Sequence, residues 1–154
     1  MTQNFDPQTL IDQARRVRRG ARVLARQSTA ARNEALRAMA AALRAQTEAI
    51  LEANRLDLRQ AEAADRDEAY LDRLLLTKER IEEMASALDE VVALDDPIGG
   101  DDEMWRRPNG LQVARRRIPL GVIGIIYESR PNVTSDATAL CLKSGNGVLL
   151  KGGS

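Results

Sequence analysis

Apolar positions along this chain follow two periods, and the change from one to the other divides it. Over residues 7–94 they recur every three or four positions, the spacing with which an amphipathic helix buries one stripe. Leu36, Met39, Ala40, Leu43, Ile50 and Leu51 fall on one such stripe. Ser28 and Thr29 stand before it as cap residues, since a hydroxyl there accepts from an unsatisfied first-turn N–H. Ile81, Met84, Ala85, Leu88 and Val92 form a second stripe, with Thr77 as its cap and Asp96-Pro97 as its stop. Between the two, Leu56-Asp57-Leu58 reads as a break or bend, followed by a polar helical stretch as far as Ala64.

Beyond the helices the pattern becomes extended. Residues 104–117 read as two strands around Pro108-Asn109-Gly110, because Asn-Gly tolerates the positive φ of a tight hairpin turn. This hairpin either caps its own subunit or forms an arm that packs on another. Residues 121–127 are a short apolar run rich in Val and Ile, suited to a strand buried on both faces of a parallel sheet, and residues 148–150 repeat that signature. Val133, Ala137, Leu140 and Cys141 recur at helical spacing between them, and Gly145 follows where a left-handed cap would end the helix. The segment is a βαβ unit in pattern and the fold class is α/β.

Charge and composition narrow the function. The 154 residues carry 23 basic and 23 acidic side chains with 3% aromatics. Neither a global attraction to phosphate backbones nor a platform for stacking bases is present, so nucleic-acid binding is disfavoured. No run approaches the ~20 apolar residues that span a bilayer, and the first residues lack the apolar core of a signal peptide. The expected location is cytoplasmic. With no histidine and one cysteine, the chain cannot build a Ser-His-Asp triad, a His-based metal site or an internal disulfide; no metal is expected. Arginines cluster at Arg15, Arg16, Arg18 and Arg19, at Arg106 and Arg107, and at Arg115, Arg116 and Arg117. They read as an anion patch or as a solvated helix face and a charged hairpin, with the acidic residues of 89–103 available to offset the hairpin.

Candidate chemistry sits beyond the strand ends, where open parallel sheets bind ligands. After the first strand, Ser129 and Asn132 offer hydrogen bonds or helix caps, and Arg130 offers a planar cation for carboxylate or phosphate, or a surface ion pair. After the second, Lys151, Gly152, Gly153 and Ser154 combine donors with bare backbone that an anion can approach. This matches neither a GxGxxG fingerprint nor a P-loop. Cys141 lies on the apolar stripe of the crossover helix, as a small core residue does.

The stretch PLGVIGIIYESRPNVT, followed by ALCLKSGN and VLLKGGS, with AILEANRLDL, LDRLLLTKERI and Asp96-Pro97-Ile98-Gly99 upstream, resembles the γ-glutamyl phosphate reductases, or glutamate-5-semialdehyde dehydrogenases, of the aldehyde dehydrogenase superfamily. The resemblance covers nearly the whole chain and matches only their N-terminal part. It implies an N-terminal helical region (1–103), the hairpin of an oligomerisation arm (104–117) and the start of an NADP-binding, Rossmann-like domain (118–154), with the catalytic domain absent. The implied activity is the NADPH-dependent reduction of L-glutamyl 5-phosphate to glutamate 5-semialdehyde with release of phosphate, in proline biosynthesis, by a homo-oligomer. In such enzymes a cysteine thiolate displaces phosphate and hydride then reduces the thioester.

Carried over by residue, Lys151 corresponds to a lysine that contacts the adenosine ribose or its 2′-phosphate, beside Gly152 and Gly153. Ser154 falls where NAD-preferring relatives carry a glutamate, and losing that charge favours NADP(H). Ser129 falls where the wider superfamily has an asparagine oxyanion donor, a departure from that pattern. Arg130 is a candidate to bind the phosphate or carboxylate of the substrate, with Asn132 as a second substrate-binding candidate. Cys141 corresponds to a crossover-helix cysteine and not to the nucleophile, so the chain alone is expected to be inactive. The other reading is a non-catalytic helical interaction module or remnant of that enzyme.

Overall fold

A computed structural model of the chain describes residues 6–128 and 130–152, and of Asp101 and Asp102 the backbone only. Its elements are α1 (Pro7–Leu24), α2 (Thr29–Ala45), α3 (Thr47–Ala63), α4 (Glu68–Leu74), α5 (Lys78–Ala93), β1 (Asp101–Arg106), β2 (Gln112–Arg116), β3 (Val122–Ile126), α6 (Pro131–Lys143) and β4 (Gly147–Lys151).

Caps fix most of the helix starts. Ser28 accepts from the Ala31 N–H at 3.2 Å, Thr77 from the Arg80 N–H at 3.2 Å and Asp67 from the Tyr70 N–H at 2.6 Å, each satisfying a first-turn donor. Gly145 ends α6 at φ +71, with the Gly145 N–H donating to Leu142 O at 3.1 Å and the Asn146 N–H to Cys141 O at 2.7 Å. Residue 145 thus takes the left-handed conformation that glycine adopts without steric cost.

Two helical expectations need correction. The stripe from Leu36 to Leu51 is divided between α2 and α3, because Gln46 leaves the helical region at φ −104 and ψ 15. The expected break at Leu56-Asp57-Leu58 is absent, and α3 runs through it to Ala63. Nothing in that segment removes a backbone donor or favours φ > 0, and leucine, arginine and glutamine are strong helix formers.

Leu36, Ala40, Ala85, Leu88 and Ala139 form the core, with Met39, Leu43, Val91, Val92 and Leu142 packed around it. It therefore joins α2, α5 and α6. Under it lies a polar clamp of distant residues: buried Lys143 donates to Asn33 Oδ1 at 2.9 Å and Val92 O at 3.0 Å. Buried Arg32 donates to Gln27 O at 2.9 Å and pairs with Asp96 at 2.5 Å, and Thr29 also bonds Asp96. Burial pushes the Asp96 carboxyl upward, but the Thr29 hydroxyl, the Ile98 N–H, Arg32 and Lys143 outweigh it and hold it below its ordinary value.

The hairpin is present, and β1 starts earlier than expected, at Asp101. Its register opposes Glu103 to Arg115 and Trp105 to Val113, with Gly110 at φ +87 in the turn. β3 and β4 pair in parallel, Val122 with Gly147 through Ile126 with Lys151. Asn146 clasps the start of this pair by accepting from the Gly121 N–H at 2.8 Å. β3 is not buried on both faces as expected: Ile126 is 85% exposed. Among the described residues this sheet has two strands, with α1 and α6 packed against it, so much of its apolar surface has no covering layer.

Candidate functional site

The loop after β3 leads into α6, and Arg130 is the N-cap of that helix, at φ −131 and ψ 88 with no side-chain cap bond. It lines two clefts. One, of about 480 Å³, is bounded by Asp72, Arg73, Arg80 and Glu83 on the α4–α5 side and by Asn132 and Asp136 on α6. The other, of about 500 Å³, is bounded by Asp57, Gln60, Arg66 and Tyr70 together with Tyr127 and Thr134. Arg130 is exposed; its carbonyl accepts from the Val133 N–H at 3.1 Å, while its guanidinium makes no hydrogen bond or ion pair among the described residues. A guanidinium free to turn into either cleft suits a carboxylate or phosphate that it can meet with two parallel N–H donors.

The walls are held by contacts that sequence inspection missed. Buried Asn54 donates to Leu74 O and accepts from the Leu76 N–H, both at 2.8 Å, tying α3 to the segment after α4. Arg80 donates to Asp72 O at 2.5 Å, Leu75 O at 2.7 Å and Asp72 Oδ1 at 2.9 Å, fastening the same segment from α5. Arg66 stacks over Tyr70 with 5.0 Å to the ring centroid, a cation–π contact that stiffens the second wall. Asn132 lies in the first cleft; it does not cap α6, and one of its two amide donors is taken along the helix by Asp136 at 3.0 Å. Tyr127 bonds Thr134 across the β3–α6 loop at 2.5 Å.

Lys151 closes β4, opposite Ile126, at the carboxyl end of the parallel pair; its ammonium is exposed and donates to Gly152 O at 2.5 Å. A Cβ built on Gly152 would have the Tyr127 ring as its nearest neighbour, at 3.8 Å, an ordinary contact distance. Lysine beside bare backbone at a strand end is a donor set fit for a phosphate. Ser129, Gly153 and Ser154 lie outside the described residues. Arg130 and Lys151 follow adjacent parallel strands, which puts the two sequence-derived sites at the same edge of the sheet.

Cys141 is buried at 5% exposure in α6, and desolvation raises its thiol pKa. A nucleophilic cysteine requires the reverse, an accessible thiolate beside positive charge. No group of three or more His, Cys, Asp or Glu among the described residues is arranged to hold a metal, and no helix there is long and apolar enough to cross a membrane.

No family model matches the chain. Over 139 residues it is 57% identical to the γ-glutamyl phosphate reductase of Moorella thermoacetica, covering 90% of this chain and 33% of that protein. Against the γ-glutamyl phosphate reductase of Rhodospirillum rubrum it is 53% identical over 154 residues, covering 100% of this chain and 36% of that protein. The crystal structure of γ-glutamyl phosphate reductase from Thermotoga maritima superposes with a TM-score of 0.91 at 46% identity, covering 94% of this chain and 35% of that one. The chain thus spans about a third of the length of the curated relatives it matches. In sequence and in fold alike, it resembles the N-terminal part of the γ-glutamyl phosphate reductases of the aldehyde dehydrogenase superfamily.

Proposed function

We propose that this chain serves as the N-terminal part of an NADPH-dependent reductase that converts L-glutamyl 5-phosphate to L-glutamate 5-semialdehyde with release of phosphate, in cytoplasmic proline biosynthesis. The observation that carries this reading is the agreement of sequence and fold with γ-glutamyl phosphate reductases across nearly the whole chain.

In this reading Arg130 holds an anionic end of the substrate at the mouth of the cleft between α4–α5 and α6. Asn132 shapes its floor, and first-turn N–H groups of α6 favour negative charge beside it. The substrate bears an ammonium, a carboxylate and an acyl phosphate. A cleft lined by Arg73 and Arg130 as well as Asp72 and Asp136 offers both signs of charge to orient such a molecule. Ser129 supplies a donor toward the carbonyl oxygen.

NADPH, when bound, supplies the hydride. Lys151, with Gly152, Gly153 and Ser154, takes the phosphate-bearing ribose. The ammonium attracts a 2′-phosphate, and serine at the last of these positions avoids the repulsion that a carboxylate would exert. The hairpin fits an arm that packs on another subunit of a homo-oligomer, since Met104, Trp105 and Leu111 are 65%, 40% and 58% exposed. Cys141 takes no covalent part, so the 154 residues in isolation do not turn over.

The test is a chimera in which this chain replaces the matching N-terminal segment of the Rhodospirillum rubrum enzyme. Lys151→Met in that chimera should raise KM for NADPH by about tenfold, the loss of roughly one charge-assisted contact, and leave KM for NADH unchanged. Equal effects on both would remove Lys151 from the 2′-phosphate. NADPH-dependent turnover by the isolated chain would refute its incompleteness. The reading as a non-catalytic interaction module predicts a folded but inactive chimera.

A further inference from the structure

The arginine cluster of α1 is absorbed by none of the chemistry above. Arg15, Arg18, Arg19 and Arg22 are exposed and fall within an arc of about 100° on the helix, opposite the face where Val17, Ala21 and Leu24 pack inward. Of these four, Arg15 alone has an ion pair among the described residues, with Asp12 at 3.1 Å. Arginines at i,i+3 and i,i+4 repel one another, and among the described residues no ion pair offsets that cost at Arg18, Arg19 or Arg22. A local conflict without internal compensation points to an external partner.

α5 carries the complementary pattern in the same frame. Glu79, Glu82 and Glu83 occupy the positions of Arg15, Arg18 and Arg19 at one constant offset along the chain, and Glu90 repeats that of Arg26, just past the end of α1. The inward residues correspond by the same offset: Ile81, Ala85 and Leu88 match Val17, Ala21 and Leu24. Glu82 is engaged by Arg44 at 2.7 Å, while Glu79, Glu83 and Glu90 are exposed and have no ion pair among the described residues. The stripes do not neutralise each other within one molecule, because α1 packs on β3 and β4 whereas α5 packs on α2, α3 and α6.

We infer that these stripes form an interface between two copies of the chain, with α1 of one lying along α5 of the other. The arginine spacing 15-18-19-22 reads the same in both directions, so Glu79, Glu82 and Glu83 match it in either, and an antiparallel approach brings unlike ends of the two helix dipoles together. A second copy is favoured over a polyanion such as nucleic acid because the matching carboxylates are already on this chain, whose charges balance at 23 and 23.

Sedimentation equilibrium of the purified 154-residue chain at ~20 mM and ~300 mM NaCl tests this, since exposed charge pairs are screened over that range. Self-association should weaken at least tenfold at the higher salt. Association through the uncovered sheet would instead persist or strengthen with salt, and would overturn the inference.

The decisive arm uses charge reversal. R15E/R19E/R22E and E79R/E83R/E90R should each lose self-association, and mixing the two should restore it as a heterodimer, because each then offers the charge the other needs. Failure of the mixture to associate while both variants keep wild-type circular dichroism overturns the proposal. If either reversal unfolds its helix, R15Q/R19Q/R22Q replaces it: a loss of association of tenfold or more supports the interface, and unchanged association refutes it. Tighter binding of a duplex oligonucleotide than of the second copy at equal salt would also refute it.

Discussion

Replacing Gly147 by alanine tests how α1 is docked on the strand that carries Lys151. A Cβ at this position would lie 2.6 Å from Val17 Cγ1, 3.1 Å from Ala21 Cβ and 3.2 Å from Val17 O. Ordinary carbon contacts fall near ~3.5–4.0 Å, so the closest is short by about 1 Å. Val17 is β-branched and has essentially one χ1 rotamer in a helix, so it cannot swing aside and α1 must move. Overpacking of this kind costs about 1–3 kcal/mol. Alanine at this first residue of β4 recovers up to about 0.5–1 kcal/mol of glycine's backbone entropy. The expected net loss is therefore roughly 1 kcal/mol, read from urea unfolding followed by circular dichroism. Val17→Ala in the same chain removes the shortest contact and leaves the two longer ones. The double mutant should show a favourable coupling of at least about 0.5 kcal/mol relative to the two singles. A Gly147→Ala protein as stable as wild type, or strict additivity with Val17→Ala, would refute this packing.

Two further outcomes follow from the buried polar and thiol groups. Asp96→Asn leaves the Arg32 guanidinium buried without its counter-charge and should cost about 3 kcal/mol near neutral pH. Because the folded carboxyl lies below its ordinary value of 3.8, the pair stabilises above that value and loses its effect as pH falls through the lower folded one. Urea midpoints of wild type and Asp96→Asn should accordingly converge at acid pH, and a constant gap would contradict the assignment. Cys141 should resist alkylation at pH 8 until the chain unfolds, and Cys141→Ala should keep the fold at a cost of about 1 kcal/mol; rapid labelling of the native protein would show that the thiol is accessible.

Where a feature is written in neighbouring residues, the sequence revealed it. Ser28, Thr77 and Gly145 cap the helices they were expected to cap, because a cap is a bond between residues two to four apart. The Asn-Gly turn and the parallel pairing of two Val- and Ile-rich runs were legible for the same reason. The division at Gln46 was not, since no glycine or proline marks it. Nor were the buried Lys143, Arg32 and Asn54, each of which reads as a solvated residue until a partner far along the chain supplies its hydrogen bond. The exposure of Ile126 was missed because an apolar run shows what a strand can bury and not which layers are present to cover it. At the candidate site, Arg130 and Lys151 were proposed from their strand ends, whereas the cleft walls contributed by Asp72, Arg73, Arg80 and Tyr70 come from a helix pair that sequence alone does not bring to α6.

Activity of the chimera is the most direct measurement of the central claim. With this chain in place of the matching N-terminal segment, the Rhodospirillum rubrum enzyme should still reduce L-glutamyl 5-phosphate with NADPH and support growth of a proline-requiring host that lacks the reductase, and should do so with Cys141→Ala as well. A chimera that folds, assembles and yet neither oxidises NADPH nor relieves the proline requirement would contradict the account.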